Sequence, residues 1–432
     1  MNKEHFTYIS DMVQTPAYIF EGEEFSKRAV DAKIKLGKDI DICYSIKANP
    51  FLIDDIFGSS SLFDKLEVCS IGELHICANC DTSPEKIVFS GINKNANEVE
   101  EAYRYGVRIF TIESNNHLNC INSVGEIFGD ILPVIIRISA DSQFGMDESD
   151  VIDIIANRKQ YQNINIIGIH YFTGTQKRSA NVINKEILFL KDFCERVSLK
   201  LGFKIQNVEY GAGLNVDYFV GQMGGANILE EIGDNLKSLA SITKVTIEMG
   251  RYFAATCGYY FTKVVDCKTN NGTNYAVVDG GMNQLHYDGQ VKNMKIPFHF
   301  HLKQEHLLAD SSSNIHKWTI CGSICSAEDV ICRDVELDDL KIGDIIIFRN
   351  CGAYSFMEGM STFLSREMPQ IWGYTNNKLE LLRDFIYTDR FNCRMQNKTK
   401  EQYQVPEGAS KFITEQSNLN TGNDVGNNVE SL

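Results

Sequence analysis

Features that would place the chain in a membrane or on nucleic acid are missing from its 432 residues. No stretch approaches the roughly 20 consecutive apolar residues that a membrane span needs. The first residues, MNKEHFTYIS, contain no apolar signal segment. Basic residues number 42 against 57 acidic ones, and the formal charge of −15 repels nucleic acid and anionic membranes. We therefore expect neither partner, and we expect a cytoplasmic protein.

The chain also lacks a cysteine framework of the kind that secreted or zinc-binding proteins use. Cys77 and Cys80 form an isolated CxxC pair, and no second pair follows at a suitable spacing. The thirteen cysteines are odd in number and irregularly spaced. We expect reduced thiols and no metal site.

Short apolar strands recur between about residue 40 and residue 252, and each is followed by a turn and an amphipathic helical segment. The eight predicted strands are 41–49, 65–70, 86–91, 108–114, 132–139, 164–172, 207–213 and 244–251. Strands that alternate with helices predict a parallel sheet, and eight of them predict a closed (β/α)8 barrel. Such barrels carry their chemistry at the carboxyl ends of the strands. Lys47, Ser70, His170, Gly211, Gly213, Glu248 and Arg251 all lie there.

After Tyr252 the pattern changes to alternating strands joined by short turns, which predicts a separate all-β domain, a barrel or sandwich. A chain of this length is expected to form two domains. We expect residues 31–255 to form the barrel and residues 256–400 the β domain. Residues 1–30 are expected to pack with the β domain, and residues 401–432 to form a disordered tail.

The run YSIKANP at Tyr44–Pro50 resembles the cofactor-lysine motif of fold-type III pyridoxal-phosphate enzymes, the ornithine and diaminopimelate decarboxylase family. That family combines an alanine-racemase-like barrel with a β domain. An ordered series of motifs is more specific than a single one. Further motifs follow in the family's order over roughly residues 10 to 390: EVCSIGEL, GIHYFTGTQ, EYGAGL, EMGRYF, VDGGMN, GSICSAEDV and CGAYSF.

The resemblance implies that pyridoxal 5'-phosphate is bound by Lys47 through a Schiff base, which requires a partly deprotonated amine. Glu248 is implied to pair with the pyridine nitrogen, so that the ring can accept electrons. A turn of small residues is implied to hold the phosphate. The implied cofactor contacts are His170, Phe172, Thr175, Gly211, Ala212, Gly213, Gly250, Arg251 and Tyr354.

Cys325 resembles the family cysteine that returns a proton to the substrate carbon from the opposite subunit. A homodimer with active sites at the interface is therefore implied. Racemases of this fold typically place an arginine against the ring nitrogen, where this chain has Glu248. That contrast favours decarboxylation over racemisation.

The chain departs from the family pattern at the substrate end of the site. Phe172 replaces a histidine, Ser326 replaces the acidic residue after the cysteine, and Tyr287 lies near the place of an expected arginine. Glu328 follows two residues after Ser326. These departures argue against diaminopimelate, and they leave Arg251, Tyr287, Ser326 and Glu328 as candidate substrate contacts.

The runs GQVKNMKIP and STFLSREMP are similar to a branch of the family found in natural-product and siderophore pathways. Some members of that branch act on amino-acid groups tethered to carrier proteins. We predict a carboxy-lyase that removes the α-carboxylate of an amino acid, an amino-acid conjugate or an aminoacyl carrier protein. The charge of −15 repels an acidic carrier unless Lys292, Lys295 and Arg366 form a local basic mouth.

Three alternatives stay open from the sequence. The protein could be diaminopimelate decarboxylase itself, or an amino-acid racemase or epimerase on the same scaffold. It could also be a non-catalytic relative that regulates a partner, although such a protein has no need to retain Lys47, Glu248 and Cys325 together.

Overall fold

The computed structural model describes residues 1–222, 227–304 and 315–393. The chain begins with helix α1 (Lys3–Met12), strand β1 (Ala17–Glu21) and helix α2 (Gly22–Leu36). Asn2 caps α1, because its side-chain oxygen accepts a hydrogen bond from the His5 amide at 3.0 Å. Strand β1 joins the C-terminal sheet, and α2 leads into the barrel.

Eight parallel strands close into a barrel, in which each strand pairs with the next and the last pairs with the first. The (β/α)8 barrel predicted from the sequence is confirmed. Seven of the eight strands end earlier than the apolar runs suggest, because the polar residues after them leave the sheet to form loops. The barrel strands are β2 (Ile40–Ser45), β3 (Lys65–Val68), β4 (Ile87–Phe89), β5 (Ile109–Ile112), β6 (Leu132–Ile138), β7 (Ile164–Phe172), β8 (Asn207–Gly211) and β9 (Lys244–Met249).

Helices on the outside of the barrel connect its strands. The longest of them, α8, buries Ile183, Ile187 and Leu190, as expected for an amphipathic crossover helix. The helices of this part are α3 (Ser59–Leu62), α4 (Ile71–Asn79), α5 (Ala96–Tyr105), α6 (Asn115–Phe128), α7 (Glu148–Ala156), α8 (Ala180–Leu201), α9 (Ile228–Glu231), α10 (Gly233–Ala240) and α11 (Arg251–Ala254).

The C-terminal part is a mixed sheet, and β1 lies inside it, antiparallel to β10 and parallel to β16. The strands on one side of β1 follow the order β14-β13-β11-β10, and those on the other side are β16 and β17. Strand β15 pairs with both β10 and β12. The elements are β10 (Gly258–Asn270), β11 (Thr273–Val278), β12 (His299–Leu302), β13 (His316–Cys321), β14 (Val330–Leu337), β15 (Ile345–Arg349), β16 (Gln370–Thr375), β17 (Lys378–Arg383) and a short helix α12 (Asp389–Asn392).

The two parts meet at the mouth of the barrel. The Tyr354 amide, in the loop after β15, donates a hydrogen bond to the Ala48 carbonyl at 2.8 Å. A residue of the C-terminal part is thereby placed next to Lys47. The expected tail at residues 401–432 lies outside the described residues.

All thirteen cysteines are free thiols, as expected from their irregular spacing. Among the described residues, no helix is both long and apolar enough to cross a bilayer.

Candidate active site

A cavity of about 460 Å³ opens at the carboxyl ends of the barrel strands. All eight strands contribute a residue from their last positions or from the loop that follows: Ser45, Glu67, Gly91, Glu113, Arg137, His170, Gly213 and Glu248. Tyr354 of the C-terminal part completes the wall. This is the end of the barrel at which the sequence places its chemistry.

Lys47 lies in a single helical turn directly after β2, and its amine reaches into the cavity. The Nζ atom is 2.6 Å from Glu67 Oε2, 3.5 Å from Cys69 Sγ and 3.7 Å from Glu248 Oε1. Burial acts to lower the pKa of Lys47, but the adjacent Glu67, Cys69 and Glu248 raise it well above the ordinary value. Lys47 is therefore an ammonium ion in the cofactor-free protein.

Glu67 and Cys69 are site residues that the sequence analysis did not identify. Glu67 lies on β3 and Cys69 just after it, and the Cys69 thiol donates to Glu67 Oε1 at 3.3 Å. Residues two apart on a strand share a face. The alternation of polar and apolar residues in KLEVCS, which follows β2 in the barrel, is the sequence pattern that could have identified Glu67 and Cys69. Glu113 and Arg137, which also line the cavity, were missed as well.

Glu248 is a buried anion at the floor of the cavity. Its Oε1 accepts a hydrogen bond from Ser45 Oγ at 2.6 Å, and its Oε2 lies 2.8 Å from His170 Nε2. Burial acts to raise the pKa of Glu248, but Lys47 and His170 outweigh it and hold the pKa well below the usual range. A carboxylate held ionised in this way can keep a bound ring nitrogen protonated.

An anion cradle forms another wall of the cavity. Gly213 has a φ of +61°, and a Cβ there would lie 2.0 Å from the Gly174 carbonyl oxygen. The Arg251 guanidinium donates to Thr175 Oγ1 at 3.2 Å and to the Tyr218 hydroxyl at 2.8 Å, and it stacks on the Tyr354 ring at 4.6 Å. A turn without side chains beside an arginine suits a phosphate group.

These groups fit pyridoxal phosphate. The cofactor needs an amine for its aldehyde, a carboxylate for its ring nitrogen and a cradle for its phosphate. Lys47 supplies the amine, Glu248 supplies the carboxylate, and the wall formed by Gly213 and Arg251 supplies the cradle. All of them line one cavity. Phe172 adds an aromatic face that a bound ring can stack on.

The structure brings most of the predicted cofactor contacts together. Those that line the cavity are Lys47, His170, Phe172, Thr175, Gly213, Glu248, Gly250, Arg251 and Tyr354. Gly211 and Ala212 lie behind the lining. A Cβ on Gly211 would meet the Phe172 ring at 2.6 Å, and Ala212 is fully buried. They shape the turn rather than face the cavity.

The prediction that Tyr287 contacts the substrate is not supported by its position. Tyr287 is 4% exposed, and its hydroxyl donates to the Arg349 carbonyl at 2.6 Å. Its ring packs on Tyr218 and Phe219, 5.5 and 5.9 Å away between centroids. The side chain is part of the core behind Arg251, which the sequence alone could not show.

The predicted contacts Cys325, Ser326 and Glu328 do not line the cavity of their own chain. They lie on the loop between β13 and β14, where Cys325 and Glu328 are exposed. Asp329 fixes this loop, because its carboxylate accepts hydrogen bonds from the Met282 and Ile324 amides, both at 2.8 Å. The roles assigned to these three residues remain predictions.

Gly213→Ala is expected to weaken cofactor binding by on the order of tenfold, because the new Cβ pushes the Gly174 carbonyl out of the cradle. Titration of cofactor into the apoprotein, followed by its visible absorption, measures this. Gly129→Ala is the matched control, since Gly129 has the same left-handed conformation, with a φ of +63°, and open space around it. Equal affinities in the two variants would refute the cradle.

The chain is also similar to known decarboxylases. In Niallia circulans, the L-glutamyl-[BtrI acyl-carrier protein] decarboxylase is 27% identical over 405 residues, which cover 89% of this chain and 94% of that protein. A Staphylococcus aureus relative, 2-[(L-alanin-3-ylcarbamoyl)methyl]-2-hydroxybutanedioate decarboxylase, is 26% identical over 78% of this chain and 88% of its own. The structure of Methanocaldococcus jannaschii diaminopimelate decarboxylase superposes with a TM-score of 0.76 at 23% identity, covering 89% of this chain and 93% of that one.

The family model for the pyridoxal-binding domain of pyridoxal-dependent decarboxylases matches residues 23–255 of this chain. This range contains the whole barrel, with Lys47, the Gly213 turn and Glu248. The sequence motifs, the cavity and the family match agree, and the chain belongs to the pyridoxal-dependent decarboxylases.

Proposed function

We propose that this decarboxylase acts on an α-amino acid whose far end is conjugated, as an amide or as a thioester on a carrier protein, and that it works as a homodimer. The observation that carries the substrate proposal is the pairing of both arginines that line the cavity. Among the described residues, neither arginine of the lining is left as a free counter-ion for a second substrate carboxylate.

Arg137 and Arg251 are the two arginines of the lining. Arg137 Nη1 lies 3.2 Å from Glu113 Oε2, and its guanidinium stacks on the Phe144 ring at 4.7 Å. Arg251 is held by Thr175 and Tyr218 in the cradle, and its Nη2 lies 3.8 Å from Asp288 Oδ2. A second charge on the substrate would be desolvated without a dedicated partner from this chain, which is costly. A neutral amide or thioester avoids that cost.

The names of two relatives support the same substrate class. One describes a glutamyl group on an acyl-carrier protein, and the other describes an alanin-3-ylcarbamoyl compound. In the first, the amino-acid group is attached to a carrier protein, and in the second it is joined through a carbamoyl group to a hydroxybutanedioate unit. A large conjugate also suits a cavity that opens outward at the barrel mouth.

The residues around the cavity then have separate tasks. Bound pyridoxal phosphate supplies an electron sink for the bond to the departing carboxylate. Glu248, held by Ser45 and His170, orients and charges the ring. Glu67 Oε2, 2.6 Å from Lys47 Nζ, would accept the proton that the amine must lose before it can hold the cofactor. Cys325 returns a proton to the α-carbon after carbon dioxide leaves.

The position of Cys325 supports the homodimer. Its thiol is exposed and outside the cavity of its own chain. The Arg366 guanidinium binds the Ser323 carbonyl at 2.8 Å, and the Asn293 amide lies 3.4 Å from the Glu328 carbonyl, so two neighbouring segments flank the cysteine loop. Both segments expose large apolar side chains: Val291, Met294, Phe363 and Leu364. A second copy that covers this surface would bury them and receive Cys325.

The three basic residues that could form a mouth for a carrier protein lie in the same region. Lys292, Lys295 and Arg366 are exposed on the two segments that flank the cysteine loop. Their positive charges would attract an acidic carrier where the second copy leaves them uncovered.

Mixing Lys47→Ala and Cys325→Ala subunits is expected to restore activity that neither variant has alone. Random exchange gives one intact site in half of the dimers, so about a quarter of wild-type activity returns. Carbon dioxide release after subunit exchange measures the recovery, with mass spectrometry of the mixed dimer as the control for exchange. Mixed dimers without recovered activity would show that Cys325 does not act across the interface.

The substrate proposal is tested by a carbon dioxide release screen. The panel contains free diaminopimelate, ornithine and glutamate, a γ-glutamyl amide, and glutamyl-loaded acyl carrier protein. We expect the conjugated compounds to react with the highest kcat/KM. Turnover that is fastest with diaminopimelate would reject the proposal.

A further inference from the structure

A second buried carboxylate, Glu209 on β8, lies beside the site. It is 1% exposed and is not among the residues that line the cavity. In the barrel Glu209 is level with His170, whereas Glu248 is level with Gly211, two residues further along β8. One donor atom from each of His170, Glu209 and Glu248 lies within 4.8 Å of the other two. Glu209 is thus a close neighbour of the His170–Glu248 pair without reaching the cofactor cavity.

The surroundings of the two carboxylates differ. Glu248 has Ser45, His170 and Lys47 within reach of its oxygens. Glu209 Oε1 has no hydrogen-bond partner among the described residues. An ionised carboxylate is costly to bury without partners, and two neighbouring buried carboxylates do not both ionise readily. The geometry therefore places the negative charge on Glu248.

The charged and titratable groups that act on Glu209 do not change this assignment. The Lys47 amine is bound by Glu67, and the Lys65 amine donates to the Glu85 carbonyl. Burial, and then the Glu248 anion, raise the pKa of Glu209 well above its ordinary value. Among the described residues, the titratable groups that act on Glu209 are Glu248, Glu67, Lys47, Lys65, Cys43 and His170.

We propose that Glu209 and Glu248 share one proton, that the proton resides on Glu209 at neutral pH, and that Glu209 is a positioning residue which leaves Glu248 as the single anion of the pair. The carboxylate that meets the ring nitrogen thereby has a fixed charge, because its neighbour holds the proton. This property belongs to the cofactor-free protein and does not depend on which substrate is used.

Infrared difference spectroscopy of the cofactor-free protein tests the proposal. At pH 7 the wild type should show the carbonyl stretch of a protonated carboxyl, and Glu209→Gln should lose it. Glu186→Gln is the matched control, since the Glu186 carboxylate accepts hydrogen bonds from Thr173, Lys177 and Tyr210 at 2.6 to 2.7 Å, and this variant should keep the band. In Glu248→Gln the band should titrate away at lower pH, because the neighbouring anion is gone.

Urea unfolding as a function of pH gives an independent readout. The folded-state pKa of Glu209 is raised, so its contribution to stability is complete below the unfolded-state pKa and is lost as pH rises towards the folded-state pKa. Between about pH 5 and pH 7, the unfolding constant should rise about tenfold more per pH unit in the wild type than in Glu209→Gln. A structural role alone would not create that slope.

Two results would overturn the proposal. One is an unchanged carboxyl band and an unchanged pH slope in Glu209→Gln. The other is binding of one equivalent of Zn²⁺ by the wild type, lost in Glu209→Gln, which would assign His170, Glu209 and Glu248 to a metal instead of a proton.

Discussion

Lys47→Ala is expected to lower the rate of carbon dioxide release by at least about a thousandfold, which is about 4 kcal/mol of barrier. The amine that reaches the cavity is lost, and no other described lysine lines it. The cofactor can then no longer be held covalently or exchanged for the substrate amine by a protein group. Single-turnover assays with the best substrate of the release screen measure the loss.

Lys244→Ala is the matched control for this variant. Lys244 begins β9 at the opposite end of the barrel, where it pairs with Asp41 at 2.6 Å. Its removal costs a surface ion pair, which contributes little to stability, and activity should stay within about twofold of the wild type. Comparable losses in the two lysine variants would contradict the role given to Lys47.

Glu248→Gln is expected to lower kcat by on the order of a hundredfold or more, because the amide is neutral and cannot hold a ring nitrogen protonated. The visible spectrum of the bound cofactor should change along with kcat, which separates an electronic effect from misfolding. His170 and Ser45 keep hydrogen-bonding partners in this variant, so the local packing is retained.

Ser45→Ala provides a graded comparison, since it removes one hydrogen bond to Glu248 and leaves the charge. We expect roughly a tenfold loss, in keeping with the strength of hydrogen bonds to charged groups. A Ser45→Ala loss equal to that of Glu248→Gln would mean that orientation, and not charge, is the contribution of Glu248.

The barrel could be predicted from the sequence because the alternation of strand and helix is a local signal. Each of the eight strands lies within its predicted range or begins one residue before it, and only the ends differ. The insertion of β1 between β10 and β16 follows from pairing over more than two hundred residues of sequence. Residues 1–30 are expected from the sequence to pack with the β domain, but local patterns do not give the neighbours of β1.

Some residues of the site could be predicted from the sequence and others could not, for a physical reason. Lys47 and Glu248 belong to motifs with a recognisable local order. The pairs Lys47–Glu67 and Glu113–Arg137 each join the loop after one strand to the next strand, so no local pattern reveals them. The position of Tyr287 behind the cavity lining could not be predicted, because its burial depends on Tyr218 and the Arg349 carbonyl, both distant in sequence.

The measurement that tests the central claim most directly follows the α-carboxylate of a labelled substrate in deuterium oxide. The wild type, loaded with pyridoxal phosphate, is given carboxyl-labelled γ-glutamyl amide or glutamyl-loaded carrier protein. We predict that the label appears in carbon dioxide in equal amounts to the amine product, with one deuterium at the former α-carbon. Retention of the labelled carboxylate together with deuterium at the α-carbon would show a racemase and would contradict the decarboxylase account.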